Sequence, residues 1–119
     1  MAKILLVDDA AFMRMMVKNT LTQAGYTDIV EAEDGAQAVD AFNAENPDLV
    51  FMDITMPNMD GLEALKAIKG SHPDANIVMC SAMGQEAMVV EAIKTGAKDF
   101  IVKPFKPERI LSTVTKIIG

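Results

Sequence analysis

Apolar residues come along this chain in two alternating rhythms. Short unbroken runs are separated by longer stretches in which apolar positions recur every three or four residues. A short apolar run bounded by polar or turn residues reads as a buried strand, and the three-to-four spacing reads as an amphipathic helix. The runs predict strands over Lys3–Val7, Ile29–Ala32, Leu49–Asp53, Asn76–Cys80 and Asp99–Val102. Between them, a first helix over Ala11–Ala24 carries the stripe Met13, Val17, Thr20, Leu21 and Ala24 and stops at Gly25. Asp34 caps a second helix bearing Ala38, Val39 and Phe42, which Pro47 closes off. Gly61–Lys69 forms a third, with Leu62, Leu65 and Ile68 on one face and Gly70 and Pro73 ending it. Glu86–Thr95 forms a fourth, stopped by Gly96, and Pro107 opens a last helix reaching about Ile118.

Strands alternating with helices through short connections predict a parallel sheet covered on both faces. Right-handed crossovers leave few topologies. The expected fold is a flavodoxin-like, doubly wound α/β sheet with strand order 2-1-3-4-5, whose switch point lies between strands 1 and 3. With 119 residues, half of them hydrophobic, and no internal linker or repeat, residues 1–119 read as one domain.

The totals narrow the function. No apolar run is long enough to span a bilayer, and Met1-Ala2-Lys3 leads straight into a strand with no visible signal peptide. The single cysteine, Cys80, excludes an internal disulfide and suits a reducing compartment. A cytoplasmic protein without membrane contact is expected. A formal net charge of −6 argues against nucleic-acid binding and suits cations or protein partners.

Chemistry gathers at the carboxyl ends of the strands, where open α/β sheets bind ligands. Strand 1 ends on Asp8-Asp9, strand 3 on Asp53, strand 4 on Ser81 and strand 5 on Lys103-Pro104. Singly, each residue has a plain explanation: Asp53 begins a turn, Asp9 and Ser81 cap helices, and Lys103 is a solvated rim lysine. Together, three converging carboxylates repel one another and require a counter-charge. A hard divalent cation such as Mg²⁺ takes oxygen ligands of this kind. With a lysine and a hydroxyl alongside, the set suits phosphoryl transfer, in which a carboxylate can itself be the nucleophile. His72, the only histidine, falls between helix 3 and strand 4 and reads as a solvated loop residue at the opposite end of the sheet.

Val7-Asp8-Asp9, Met52-Asp53-Ile54-Thr55-Met56-Pro57, Cys80-Ser81-Ala82 and Val102-Lys103-Pro104-Phe105 resemble the receiver domain of two-component response regulators. The resemblance covers the whole chain in order, and four motifs in register make it specific. The stretches Asp8–Met16, Ser81–Gln85 and Gly96–Phe105 look most like the single-domain chemotaxis regulators of that family. It implies that Asp53 accepts a phosphoryl group from a phosphohistidine of a chemotaxis-type sensor histidine kinase. Asp9, Asp53 and the backbone carbonyl of Thr55 would bind Mg²⁺ directly and Asp8 through water. Lys103 would contact the phosphoryl oxygens. Ser81 would hydrogen-bond the phosphoryl group and Phe100 would turn inward in response. Such a protein catalyses only its own phosphorylation and dephosphorylation. Many members carry Thr at Ser81 and Tyr at Phe100; Ser keeps the switching hydroxyl, whereas Phe100 removes one that a partner could use.

Output would be a protein contact by a monomer. The face of helix 4, strand 5 and helix 5, with Val89, Phe100, Val102 and Phe105, is expected to bind a flagellar motor switch protein. Phe12 and Met15, off the core stripe of helix 1, are expected to dock the phosphodonor, and Met88 and Val90 to be covered by neighbouring helices. The resemblance also implies a cis Lys103–Pro104 bond. It further assigns Thr55 and Met83 to tuning hydrolysis. The thioether of Met83 cannot hold the attacking water and would shield the phosphoryl group, leaving a need for a separate phosphatase. The competing readings are a stand-alone phosphorelay receiver, a Mg²⁺-dependent phosphohydrolase with an aspartate nucleophile, and a flavin module. The phosphohydrolase lacks an evident acid/base group or cap. The flavin module is opposed by the charge of Asp8-Asp9.

Overall fold

Successive side chains of a strand point to opposite faces, so a strand that is apolar at every position is stable only when both faces are covered. The computed structural model, which describes residues 2–119, meets that demand. Its elements are β1 (Lys3–Val7), α1 (Ala11–Gln23), β2 (Asp28–Ala32), α2 (Gly35–Glu45), β3 (Leu49–Asp53), α3 (Gly61–Ser71), β4 (Ile77–Ser81), α4 (Glu86–Thr95), β5 (Asp99–Val102) and α5 (Pro107–Ile118). The strands form one parallel sheet in the order β2-β1-β3-β4-β5, as the alternating pattern predicts.

The alternation within each strand divides the interior into two cores. Leu5, Val7, Val50, Met52, Ile77 and Met79 face α2, α3 and α4, where Phe42, Leu65, Ile68 and Ala92 meet them. Ile4, Leu6, Phe51, Val78, Cys80 and Ile101 face α1 and α5, against Val17, Leu21, Ile110 and Val114. β3 and β4 are buried at all five positions, whereas the edge strands β2 and β5 are only partly covered. Cys80 is a free, buried thiol, and burial pushes its pKa up, so it stays protonated.

Element ends depart from the sequence expectation in four places. α1 stops at Gln23, leaving Ala24 as an exposed cap rather than part of the buried stripe. β2 begins one residue earlier, at Asp28, and β4 is shifted by one residue, which brings Ser81 into the strand. α3 runs through Gly70 to Ser71 and ends where the His72 N–H donates to the Ile68 carbonyl. Gly70 costs a helix only about 1 kcal/mol relative to Ala, and the His72 N–H bond to the Ile68 carbonyl spans it. On α4, Val90 is 53% exposed, so no neighbouring helix covers it, while Met88 packs partly against the core as expected.

Asp34 caps α2 as predicted. Its Oδ1 accepts from the Gln37 N–H at 2.8 Å and its Oδ2 from the Asn58 side-chain amide at 2.9 Å. The Gln37 bond first, and the Asn58 bond second, hold its carboxyl below the ordinary aspartate range. A depressed folded-state pKa contributes stability that is present above the unfolded pKa and lost as pH falls through the folded one. Asp34→Ala is therefore expected to lower the urea midpoint at pH 7. The gap to the parent protein should narrow in acid, as unfolding curves at several pH values would show.

Candidate functional site

The site begins with the turns that follow the strands. The Asp8 side chain closes the turn after β1 by accepting from the Ala10 N–H at 2.9 Å. Arg14, in the first turns of α1, reaches back to donate to the Asp8 carbonyl at 2.6 Å and also pairs with Glu31 at 3.0 Å. β3 pairs with β1 on one side and with β4 on the other, with Asp53 opposite Cys80. Its last residue thus stands beside the end of β1 at the switch point. The turn after β3 is held by the Gly61 N–H on the Ile54 carbonyl at 2.7 Å. Gly61 is needed there, because a Cβ would run into the Asp53 carbonyl oxygen and the Ile54 Cα. From β5, the Lys103 N–H bonds the Ser81 carbonyl at 2.7 Å and the Lys103–Pro104 peptide is cis.

These turns bring Asp8, Asp9 and Asp53 together, with one carboxylate oxygen from each lying within 4.8 Å of the others. Asp8 and Asp53 are buried and Asp9 is exposed. The Lys103 Nζ sits 3.1 Å from an Asp8 oxygen and 3.2 Å from an Asp53 oxygen. One lysine against three carboxylates leaves the cluster short of positive charge. Burial, reinforced by Asp8 and Asp9, raises the Asp53 pKa above the ordinary aspartate range, although Lys103 pulls it back. Burial also works against the charge on Lys103, but Asp53 and Asp8 outweigh it and raise the lysine pKa. Oxygen donors in this number, partly desolvated and under-neutralised, fit a small hard cation.

Ser81 is buried beside this cluster at the end of β4. Phe100 and Val102 point outward on β5, at 37% and 43% exposure. With Met83, Val89, Val90 and Ile93 they line an apolar groove between α4 and β5 that also reaches Ser81. Phe105, expected on this face, lies instead on the other side of the sheet. It packs against the α1–α5 core and lines a small cleft with Asp8 and Arg14. Parity accounts for this: position 105 has the parity of Ile101, which faces the same α1–α5 core, and not that of the outward Phe100 and Val102. Met83 is 85% exposed and belongs to the groove, which does not favour a shielding role over Asp53. His72 is not a free loop residue; it caps α3, its ring lies against Phe42 at 4.7 Å, and Nε2 is 2.9 Å from the Asn43 side-chain oxygen.

Two polar residues near the site were not singled out by sequence reasoning. One is Arg14, whose side chain ties the Asp8 turn to the end of β2. The other is Gln85, whose amide accepts from the Ala82 N–H and donates to the Thr55 hydroxyl, both at 2.7 Å. A Gln three residues after Ala82, the first residue beyond β4, is a turn-closing pattern that could have drawn attention to Gln85. Nothing in the local sequence signals its reach to Thr55.

A five-stranded parallel α/β sheet with an acidic cluster and a lysine at its switch point defines the class. The profile described as "Response regulator receiver domain" matches residues 4–115, and the chain belongs to that family. It is 58% identical over 117 residues to the chemotaxis protein CheY of Bacillus subtilis, covering 98% of each chain. In the CheX–CheY–BeF3–Mg²⁺ crystal structure from Borrelia burgdorferi, the matching chain is 36% identical with a TM-score of 0.93, covering 99% of this chain and 90% of that one. NtrX from Brucella abortus, 39% identical with a TM-score of 0.92, is matched over 98% of this chain but only 26% of its own. The chain is a receiver domain of the CheY-like chemotaxis type, a component of two-component signalling.

Proposed function

We propose that this protein is a phosphorylation-driven switch in chemotaxis, with Asp53 as the phosphoacceptor. The observation that carries the reading is Lys103 held within 3.1 and 3.2 Å of Asp8 and Asp53, inside a carboxylate cluster that is still under-neutralised. Asp8, Asp9, Asp53 and the Thr55 carbonyl would hold Mg²⁺, which when bound neutralises charge on the transferring phosphoryl group. An Asp53 oxygen attacks the phosphorus of a phosphohistidine. The phosphorus–nitrogen bond breaks, and its electron pair leaves with the imidazole. Lys103 already faces the attacking carboxylate and can bond the phosphoryl oxygens. The Ser81 hydroxyl can donate to the same group.

A phosphoryl group adds nearly two negative charges and strong acceptors at the strand ends. Drawing Ser81 toward it moves the floor of the α4–β5 groove, since Ser81 lines that groove and pairs in register with Val102. Phe100 turns into the space released, and the reshaped face of α4, β5 and α5 binds the target, a flagellar motor switch protein. Phe12 and Met15, 68% and 57% exposed on α1, supply an apolar surface for a sensor histidine kinase. The Borrelia relative crystallised with CheX, BeF3 and Mg²⁺, which supports a Mg²⁺ site here and a further protein partner, read as a phosphatase. The receiver acts as a monomer in the cytoplasm; among the described residues no helix is long and apolar enough to cross a membrane.

The test is labelling with acetyl phosphate. Intact mass should rise by one phosphoryl group only when Mg²⁺ is present, and peptide mapping should place the base-labile group on Asp53. A label on another residue, or labelling undiminished by a chelator, would overturn the assignment.

A further inference from the structure

Gln85 stands at the start of α4, yet its side chain caps no amide of that helix. Its planar amide turns back toward the site and uses both ends. The Oε1 accepts from the Ala82 N–H and the Nε2 donates to the Thr55 hydroxyl, each at 2.7 Å. The first bond alone would be the ordinary closing of a turn by a side chain three residues on. The second bond is of another kind, because it joins residues 30 apart in sequence. It crosses from the loop after β4, which follows Ser81, to the loop after β3, which follows Asp53. One amide with donor and acceptor both engaged is fixed in orientation as well as position. While both bonds hold, the two loops cannot shift independently.

We propose that Gln85 is a positioning residue that couples these loops and thereby sets the Mg²⁺ affinity of the carboxylate cluster. The inference rests on the reading above, in which Thr55 offers its carbonyl to the cation. Gln85 touches neither the cation nor the phosphoryl group. It holds the Thr55 segment in place from the opposite loop, so a change at Ser81 and Ala82 reaches the metal ligands through this side chain. The same link means that cation binding restrains the β4–α4 loop.

The test is a double-mutant cycle. Gln85→Met keeps the length of the side chain and deletes both bonds. Thr55→Val removes the accepting hydroxyl with little change of shape. Mg²⁺ dissociation constants come from calorimetry, and metal-free urea midpoints from unfolding curves. Each single variant loses the Gln85–Thr55 bond and is expected to bind Mg²⁺ about five-fold more weakly for it. The double variant should be no weaker than either single one. Gln85→Met with a lowered urea midpoint but unchanged Mg²⁺ affinity would show turn closure only and overturn the inference. So would losses that add in the double variant. If the parent protein binds no Mg²⁺, the metal reading fails and the inference with it; normal Mg²⁺ binding by both parent and Gln85→Met overturns the inference alone.

Discussion

Asp53→Asn is expected to take no phosphoryl group from acetyl phosphate or from a kinase, and to be more stable than the parent protein in Mg²⁺-free buffer. The first outcome follows from chemistry: the amide lacks the anionic oxygen that attacks phosphorus. The second follows from the site's electrostatics. Asp53 is buried among two further carboxylates with one lysine to balance them. Burial, then the repulsion of Asp8 and Asp9, raises its pKa against the pull of Lys103. A carboxyl whose folded-state pKa is raised costs stability once pH exceeds its unfolded pKa, and the cost is complete above the folded one. The neutral amide removes that cost, so the advantage of the variant should be full at neutral pH. It should vanish as pH falls through both values. Lys103 keeps Asp8 as a partner in the variant. Urea midpoints across pH, with and without Mg²⁺, check this, and Mg²⁺ should stabilise the parent more than the variant. Loss of phosphorylation alongside raised stability could not be ascribed to misfolding. Phosphate still attached to Asp53→Asn would move the acceptor elsewhere.

Gly61→Ala is expected to destabilise by about 3 kcal/mol, the upper part of the usual range for overpacking. The new methyl would press on the Asp53 carbonyl oxygen and the Ile54 Cα. Both are backbone atoms, so no rotamer change relieves the clash. The Gly61 N–H is also bonded to the Ile54 carbonyl, which pins the two segments together. Relief requires the end of β3 to move, and with it the Asp53 side chain, so Mg²⁺ binding should weaken too. Gly70→Ala in the same helix provides the contrast. A Cβ there meets nothing within 4 Å, and the helix should gain about 1 kcal/mol. Urea unfolding of both variants should show shifts of opposite sign; equal shifts would mean that close packing at Gly61 is not what its lack of a side chain serves.

Much of this architecture was legible because its strands announce themselves. Five apolar runs, each ending in a polar residue, give the strands, and the strand order then carries Asp8, Asp9, Asp53, Ser81 and Lys103 to one edge. Residues that act across loops were harder to read. Gln85 meets Thr55 only because two polar turns are neighbours in space, and polar turns carry no periodicity. Phe105 does not share the outward face expected for it: its position has the parity of Ile101 and lies with it on the α1–α5 side, opposite Phe100 and Val102. Gly70 reads as a helix stop, although an exposed glycine costs a helix only about 1 kcal/mol and is tolerated in its last turn. Ala24 and Val90 show the converse: an apolar residue in helical register need not be covered when the helix has ended or has no neighbour on that side.

The uneven cover of the sheet has a bearing on how a signal could leave the site. Amide hydrogen exchange from a strand buried on both sides generally requires large-scale opening, while thinly covered edges can exchange by local fluctuation. Leu49–Asp53 is of the first kind, and Asp99–Val102, with Phe100 and Val102 facing outward, is of the second. Asp53 is therefore mounted on one of the least compliant strands, where an added charge cannot be absorbed by the strand giving way. The compliance lies two strands over, at the sheet's border, where rearrangement disrupts little packing. On the function proposed above, a rigid input at Asp53 and a soft output at β5 would let a local electrostatic change move the surface rather than loosen the interior.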